Sequence, residues 1–190
     1  MKKLYILGWL LVTSLSFSQT VVNLETQAEY SLSDKAGAYF KDVNGVLNKF
    51  LGTWRYQNTP NNPTKVFEIT FYKTSMKSVG GMYTTDVLTS RFKYIENGVT
   101  VYNTTLSGRD NYITGSSIFS ADLSKISLMY YEPNINNLPT KEIPHGDLAL
   151  TYQLNSQSLP TLNWRITYFE GESTSVPFRI PVKMVLNKVN

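Results

Sequence analysis

The chain has 190 residues, with 18 Lys and Arg against 14 Asp and Glu, one His and no Cys. The absence of Cys excludes disulfides, a thiolate nucleophile and sulfur ligands for a metal, and one His cannot complete a structural zinc site. The charges are scattered rather than gathered into a basic stripe, so we expect no nucleic-acid partner. We also predict no cofactor.

The first residues have the layout of a secretory signal peptide. Met1-Lys2-Lys3 is cationic, residues 4–15 are mostly apolar, and Ser16-Phe17-Ser18 places small residues before a cut at Gln19. An uncleaved membrane anchor is the alternative, but the apolar run is shorter than the roughly 20 residues of a transmembrane helix. We predict cleavage between Ser18 and Gln19 and export to the periplasm or the extracellular space. No integral membrane segment then remains, and without Cys the protein is not a lipoprotein.

Residues 1–18 are therefore assigned to the signal peptide, residues 19–50 to an N-terminal arm with a short helix, and residues 51–190 to one β-domain. The remaining 172 residues have the length of a single domain. Val43, Val46, Leu47 and Phe50 recur at helical spacing, and Asp42 is a candidate cap. Because a glycine at position 45 weakens a helix, we predict one short helix or 3₁₀ turn here.

The rest of the chain alternates between strands and turns. Phe67, Ile69 and Phe71 share one face of a strand, and Asn97-Gly98 is a strong hairpin signal. The predicted strands are 52–57, 65–73, 86–95, 99–104, 112–120, 125–132, 147–154, 161–170 and 182–189, with a loop at 77–81. This pattern predicts an all-β fold, an antiparallel up-and-down β-barrel of about eight or nine strands.

The stretch Leu51-Gly52-Thr53-Trp54, at the start of the first of these strands, resembles the Gly-x-Trp signature of calycins, which include the lipocalins. In those families the Trp plugs the closed end of the barrel, and an Arg near the last strand often lies across its face. The resemblance implies that Gly52, Trp54 and Arg179 close the barrel, with Lys188 as a second candidate cation. Fatty-acid-binding proteins insert two helices after the first strand, and residues 58–63 form only a turn cluster here. The whole exported chain resembles secreted bacterial lipocalin-like proteins of unknown function.

Catalytic groups are not evident. The only His, His145, lies two residues from Asp147, and no Ser stands in a nucleophile elbow. A pair of carboxylates about 5–9 Å apart would suit a glycosidase-like hydrolase, and the sequence does not show whether any two converge. The candidates, on separate strands or turns, are Glu68, Asp86, Glu96, Glu132 and Glu170. We predict no catalytic residue and no enzyme, with a carboxylate-based hydrolase as the weakest alternative.

Aromatic residues at alternating positions of successive strands are the candidate ligand-binding residues. They are Phe71, Phe92, Tyr94, Tyr130, Trp164 and Tyr168. Such residues either fill a small barrel or line a cavity for one apolar ligand, and the sequence pattern is the same for both. The first hypothesis is a secreted, non-enzymatic lipocalin-like protein that binds a small hydrophobic molecule in its barrel. The second is an envelope or extracellular protein-interaction module that uses the barrel as a scaffold and binds through exposed Tyr and the segment 131–147.

Overall fold

The computed structural model describes residues 19–106, 112–133, 139, 143–169 and 176–189. The predicted signal peptide and the candidate carboxylate Glu170 lie outside these residues. Short 3₁₀ helices are present at Leu24–Glu29, Asn48–Phe50 and Thr104–Leu106. The strands are β1 (Val21–Asn23), β2 (Tyr39–Lys41), β3 (Gly52–Gln57), β4 (Lys65–Val79), β5 (Tyr83–Glu96), β6 (Val99–Asn103), β7 (Ile113–Phe119), β8 (Asp122–Tyr131), β9 (His145–Leu154), β10 (Pro160–Tyr168) and β11 (Lys183–Lys188).

Eight of the strands form a closed antiparallel barrel, which confirms the predicted fold class. The ring runs β3–β4–β5–β7–β8–β9–β10–β11 and closes where β11 pairs with β3. Its members follow one another along the chain, apart from β6, so the connections are those of an up-and-down meander. Within the described residues, no helix is long and apolar enough to cross a membrane.

Strand β5 changes its neighbour along its length. Thr84 and Thr85 pair in parallel with β2, Leu88 and Thr89 pair with β7, and the residues from Lys93 onward pair with β6. The Asn97-Gly98 turn forms the predicted hairpin, with a positive φ at both residues. The predicted strand at 99–104 is therefore present as β6, but it lies outside the barrel ring.

The alternation of side chains along β4 explains which residues form the core. The side chains of Phe67, Ile69 and Phe71 are at most 1% exposed, whereas Glu68 between them is exposed to solvent. The same period of two places Leu162, Trp164 and Ile166 of β10 inside the barrel. One apolar core therefore runs along the barrel axis.

The β4–β5 hairpin is longer than predicted. The predicted loop at residues 77–81 is mostly strand, because β4 continues to Val79 and the turn lies at Gly80–Met82. A bulge between Thr74 and Lys77, with φ of 55° at Met76, interrupts the alternation of inward and outward side chains. Since the prediction of strands from the sequence depends on that alternation, it ended the strand too early. Since β3 begins opposite Phe71, the hairpin extends past the end of β3.

Two buried aspartates hold the N-terminal arm against this hairpin. Asp86 accepts hydrogen bonds from the Tyr39 hydroxyl at 2.6 Å and from the Asp42 backbone N–H at 3.0 Å. Asp42 in turn accepts from the backbone N–H of Val46 at 2.7 Å, as a cap does. The predicted helix is confined to the 3₁₀ turn Asn48–Phe50, since Gly45 has φ of 67° and interrupts any longer helix.

Gly146 of β9 lies against the backbone of β10 with no room for a side chain. A Cβ atom at Gly146 of β9 would lie 2.1 Å from the Thr167 carbonyl oxygen of β10. We expect Gly146→Ala to lower the free energy of unfolding by about 2–3 kcal/mol, since the strands would have to move apart. Urea denaturation measures this, with the exposed Ala149→Ser on the same strand as control. Equal stability of both variants would contradict the close packing of β9 and β10.

Candidate functional site

Trp54 lies at the end of the barrel that the N-terminal segment covers. Its side chain is fully buried, and the indole N–H donates to the Phe50 carbonyl oxygen at 2.8 Å. The Trp54 and Phe50 rings both contact Tyr152 edge-on, at 6.5 Å between centroids. The 3₁₀ turn before β3 is thereby fixed beneath the barrel as its plug, and we call this the closed end.

The cation against Trp54 is Lys188 of the last strand. Its Nζ lies 4.3 Å from the centre of the Trp54 ring and donates to the Leu51 carbonyl oxygen. Burial lowers the pKa of Lys188. A Cβ at Gly52, where φ is 91°, would lie 3.0 Å from that Nζ, so glycine provides both the backbone angle and the space. Arg179, which the calycin resemblance implied for this role, instead pairs with Glu96 at 3.7 Å.

Five of the six predicted ligand-binding residues lie inside the barrel, packed among other side chains. Phe71, Phe92, Tyr94, Tyr130 and Trp164 are between 0% and 2% exposed, whereas Tyr168 at the opposite, open end is 38% exposed. Ring centroids are 5.1 Å apart between Phe67 and Trp164, and 6.1 Å between Tyr130 and Trp164. The rings of Phe71, Phe92, Tyr94 and Tyr130 have almost no accessible surface and border no space for a ligand, so binding among them would require side chains to move. Trp164, which is 2% exposed, borders a surface depression between β3, β10 and β11.

Two polar atoms are left without partners in this interior. The Ser90 hydroxyl and the Trp164 indole N–H are buried and make no hydrogen bond among the described residues. Each such group costs about 1–3 kcal/mol relative to a paired one. Ser90 interrupts the apolar face of β5, opposite Phe71 of β4.

A polar cluster lies at the open end, centred on Glu132. This open-end cluster consists of Glu132, Tyr102, Tyr130, Arg179 and Glu96. Glu132 accepts hydrogen bonds from the Tyr130 hydroxyl at 2.6 Å and from the Arg179 backbone N–H at 3.1 Å. The Tyr102 hydroxyl and a second backbone N–H, that of Ile180, also donate to it. One carboxylate therefore joins β6, β8 and the segment before β11.

Burial governs the protonation of this cluster. It raises the pKa of Glu132, and the hydrogen bonds from the two tyrosines and the backbone oppose that rise. Burial and the Glu132 charge also raise the pKa of Tyr102 and of Tyr130. Burial raises the pKa of the neighbouring Tyr94 to about 12. The three tyrosines consequently remain protonated, and those at 102 and 130 are hydrogen-bond donors.

The structure brings two of the candidate carboxylates to one arginine. The Glu96 carboxylate faces the Arg179 side chain, and the Glu132 carboxylate accepts from the Arg179 backbone N–H. Glu96 is the last residue of β5, whereas Glu132 follows β8. Both oxygens of Glu132 accept structural hydrogen bonds, which fits a carboxylate that holds segments together better than one that transfers protons. Asp86 is likewise engaged in anchoring β2, and Glu68 is exposed on the outer face of β4.

His145 begins β9 and is half-buried. Its Nδ1 lies 2.8 Å from the Ile143 carbonyl oxygen, and its ring stacks on Tyr131 at 5.7 Å. Among the described residues, no group of three or more His, Asp or Glu side chains is placed to hold a metal ion.

Sequence reasoning did not anticipate the open-end cluster. Tyr102 fell within the predicted strand 99–104 without being singled out, and Glu132 was one of several candidate acids on separate strands or turns. Their meeting depends on β6 leaving the ring beside β5 and on the chain before β11 crossing the open end. Such pairing between distant segments leaves no periodic signal in one sequence.

Replacement of Glu132 should change how stability depends on pH. The pKa of Glu132 in the folded protein is raised above its value in the unfolded chain, which is about 4.3. Its contribution to stability is therefore complete below the unfolded pKa and is lost as the pH rises through the folded pKa. We expect the wild type to lose stability relative to Glu132→Gln as the pH rises from 4 to 8. The loss is about 1.4 kcal/mol per pH unit between the two pKa values. Urea denaturation across this range measures it, with the exposed Glu68→Gln as control, and parallel pH profiles for wild type and Glu132→Gln would contradict the assignment.

Comparison with known proteins gives one family. A family of unknown function, DUF6705, matches residues 1–137. No curated protein and no solved structure matches the chain. Since the match covers more than half of the 190 residues, the chain belongs to the DUF6705 family.

Proposed function

We propose that this protein is an exported, non-enzymatic binding module, in which a calycin-like barrel is a filled scaffold and binding takes place on its outer surface. The observation that carries the proposal is the burial of Phe71, Phe92, Tyr94, Tyr130 and Trp164, at most 2% exposed, inside the ring. A barrel of about eight strands is either filled by its own side chains or holds one small ligand, and the burial of these rings favours a filled interior. The second of our two hypotheses therefore fits the geometry better than a hollow carrier.

The closed end supports the calycin relationship. Trp54 near the start of the first barrel strand is buried as a plug, and Lys188 of the last strand lies over its ring. A cation from the last strand against the Gly-x-Trp indole is the arrangement that the resemblance implied, with Lys in place of Arg.

Export and the absence of catalysis are the other parts of the proposal. The cationic start, the apolar run and the small residues before Gln19 support export. The buried acids support a non-enzymatic role, because Asp86 and Glu132 hold backbone and tyrosine donors rather than facing an open cleft.

A cavity made by mutation tests whether the interior is filled. Phe92→Ala should cost about 3–5 kcal/mol and create a space that binds benzene, as engineered apolar cavities do. The wild type should not bind benzene. Thermal unfolding with and without benzene measures both effects, and stabilisation by benzene should occur only in the variant.

Two further variants keep this test decisive. If Phe92→Ala does not fold, Leu150→Ala replaces it in the test. Leu150 is also fully buried, and its truncation makes a smaller cavity. Phe119→Ala removes a ring that is 50% exposed and should create no benzene site. Stabilisation of the wild type by benzene, to the same extent as the cavity variants, would contradict a filled scaffold.

Binding of a small hydrophobic ligand that carries one or two polar atoms, inside the barrel, is the second candidate function. The unpartnered Ser90 hydroxyl and Trp164 indole N–H favour it, because a ligand with polar atoms would satisfy them. Native mass spectrometry of protein purified from its own envelope tests this candidate. A reproducible extra mass that organic extraction removes is the expected result for a ligand. A bare mass, together with no binding of added fatty acids or tetrapyrroles, would reject it.

A further inference from the structure

The barrel is closed weakly between β3 and β11. These strands share two residue pairs, Asn187 with Arg55 and Lys188 with Trp54, at the closed end. In contrast, β10 and β11 share five pairs, and β3 and β4 share six. Toward the open end the two strands no longer pair, and a depression of about 560 Å³ lies between them.

We call this depression the seam groove. It contains polar side chains that can donate hydrogen bonds and apolar surfaces beside them. Among its lining residues are Gln57, Asn163, Arg165 and Lys183, together with Tyr56 and Val185. A second depression, of about 390 Å³, adjoins it at Gln57 and adds Arg55. None of the described residues that line the two depressions is acidic.

Two cations face each other in the seam groove. Arg165 of β10 is directly opposite Lys183 of β11, and both side chains are exposed. No carboxylate of the described residues lies within ion-pair distance of either. Like charges directly opposite on neighbouring strands repel one another and destabilise the pair. A bound anion would convert this repulsion into attraction for both.

The groove also has an apolar side. Val185, on the same face as Lys183, is 49% exposed, and the half-buried Tyr56 lies across the seam on β3. The site is therefore cationic at one end and apolar beside it. Its volume lies within the roughly 300–1,000 Å³ of small-molecule sites.

We propose that the seam groove binds a small amphiphilic anion. Arg165 and Lys183 would hold a carboxylate, phosphate or sulfate head group, with the guanidinium able to bind two of its oxygens. The amides of Gln57 and Asn163 are donors for the remaining oxygens, and the apolar body lies against Tyr56 and Val185. This proposal rests on the proposed function, because it names the ligand class and the site on the outer surface.

Octanoate is the probe for this site. A titration followed by ¹H–¹⁵N NMR at low ionic strength reports both the location and the affinity of binding. We expect backbone shifts concentrated at residues 56–57, 163–165 and 183–185. Octan-1-ol and inorganic phosphate should each bind at least about tenfold more weakly than octanoate, since each lacks one half of the interaction.

Substitutions in the groove distinguish binding of octanoate at this site from a general attraction of anions to the cations of the protein. Arg165→Ala and Lys183→Ala should each weaken octanoate binding about tenfold. Arg165→Lys keeps the charge but loses the two-oxygen contact, so it should weaken binding less than Arg165→Ala does. Lys93→Ala, which removes an exposed cation from β5, should leave the affinity unchanged. Unchanged affinity in the Arg165→Ala/Lys183→Ala double variant, or no binding of octanoate to the wild type, would overturn the proposal.

The location of the shifts distinguishes this proposal from the function on which it rests. Shifts elsewhere on the outer surface would overturn the seam groove and leave the binding module intact. Shifts centred on residues 92–94 and 130, with none at residues 56–57 or 183–185, would show an interior ligand and overturn both. Vesicles that contain phosphatidylglycerol are the last probe. Binding of the protein to these vesicles without binding to octanoate would overturn the small-molecule site and identify a membrane surface as the source of the anion.

Discussion

Filling the interior of an eight-stranded ring is the constraint on which this structure depends. Inward side chains of neighbouring strands meet near the axis, and in this barrel they fill that space by packing against one another. Trp164 does so by contacting Phe67 from one side and Tyr130 from another. A ligand among these rings would replace contacts that already hold the wall together, so the same side chains cannot both pack and leave a pocket.

Each end of the barrel is secured by a charged group at a junction between segments. At the closed end, Lys188 joins the last strand to Trp54 and to the Leu51 carbonyl. At the open end, the Glu132 carboxylate joins β8 to Tyr102 and to the chain before β11. Both groups are partly or largely buried, and both are hydrogen-bonded, as buried charges must be. These charges are therefore explained by the fold.

The sequence was sufficient for the strands and the barrel because both depend on local alternation. Phe67, Ile69 and Phe71 show their inward face without knowledge of their neighbours. It was not sufficient for features that depend on pairing between distant segments. The three successive neighbours of β5 are one example, and the choice of Lys188 rather than Arg179 beside Trp54 is another. The aromatic pattern also could not distinguish a filled barrel from a hollow one, since inward residues are the same in both.

Charges that the fold does not explain are the best guide to where the protein binds. Glu132 and Lys188 have partners, and their removal would leave donors or a carbonyl unsatisfied. Arg165 and Lys183 repel each other on an exposed face, where uncharged polar residues would satisfy the strands equally well. They also lie beside the junction of β3 and β11, which share two residue pairs, and beside a groove with an apolar wall. Repulsion that does not help the fold, beside a groove at the junction of β3 and β11, is what an anion-binding surface requires.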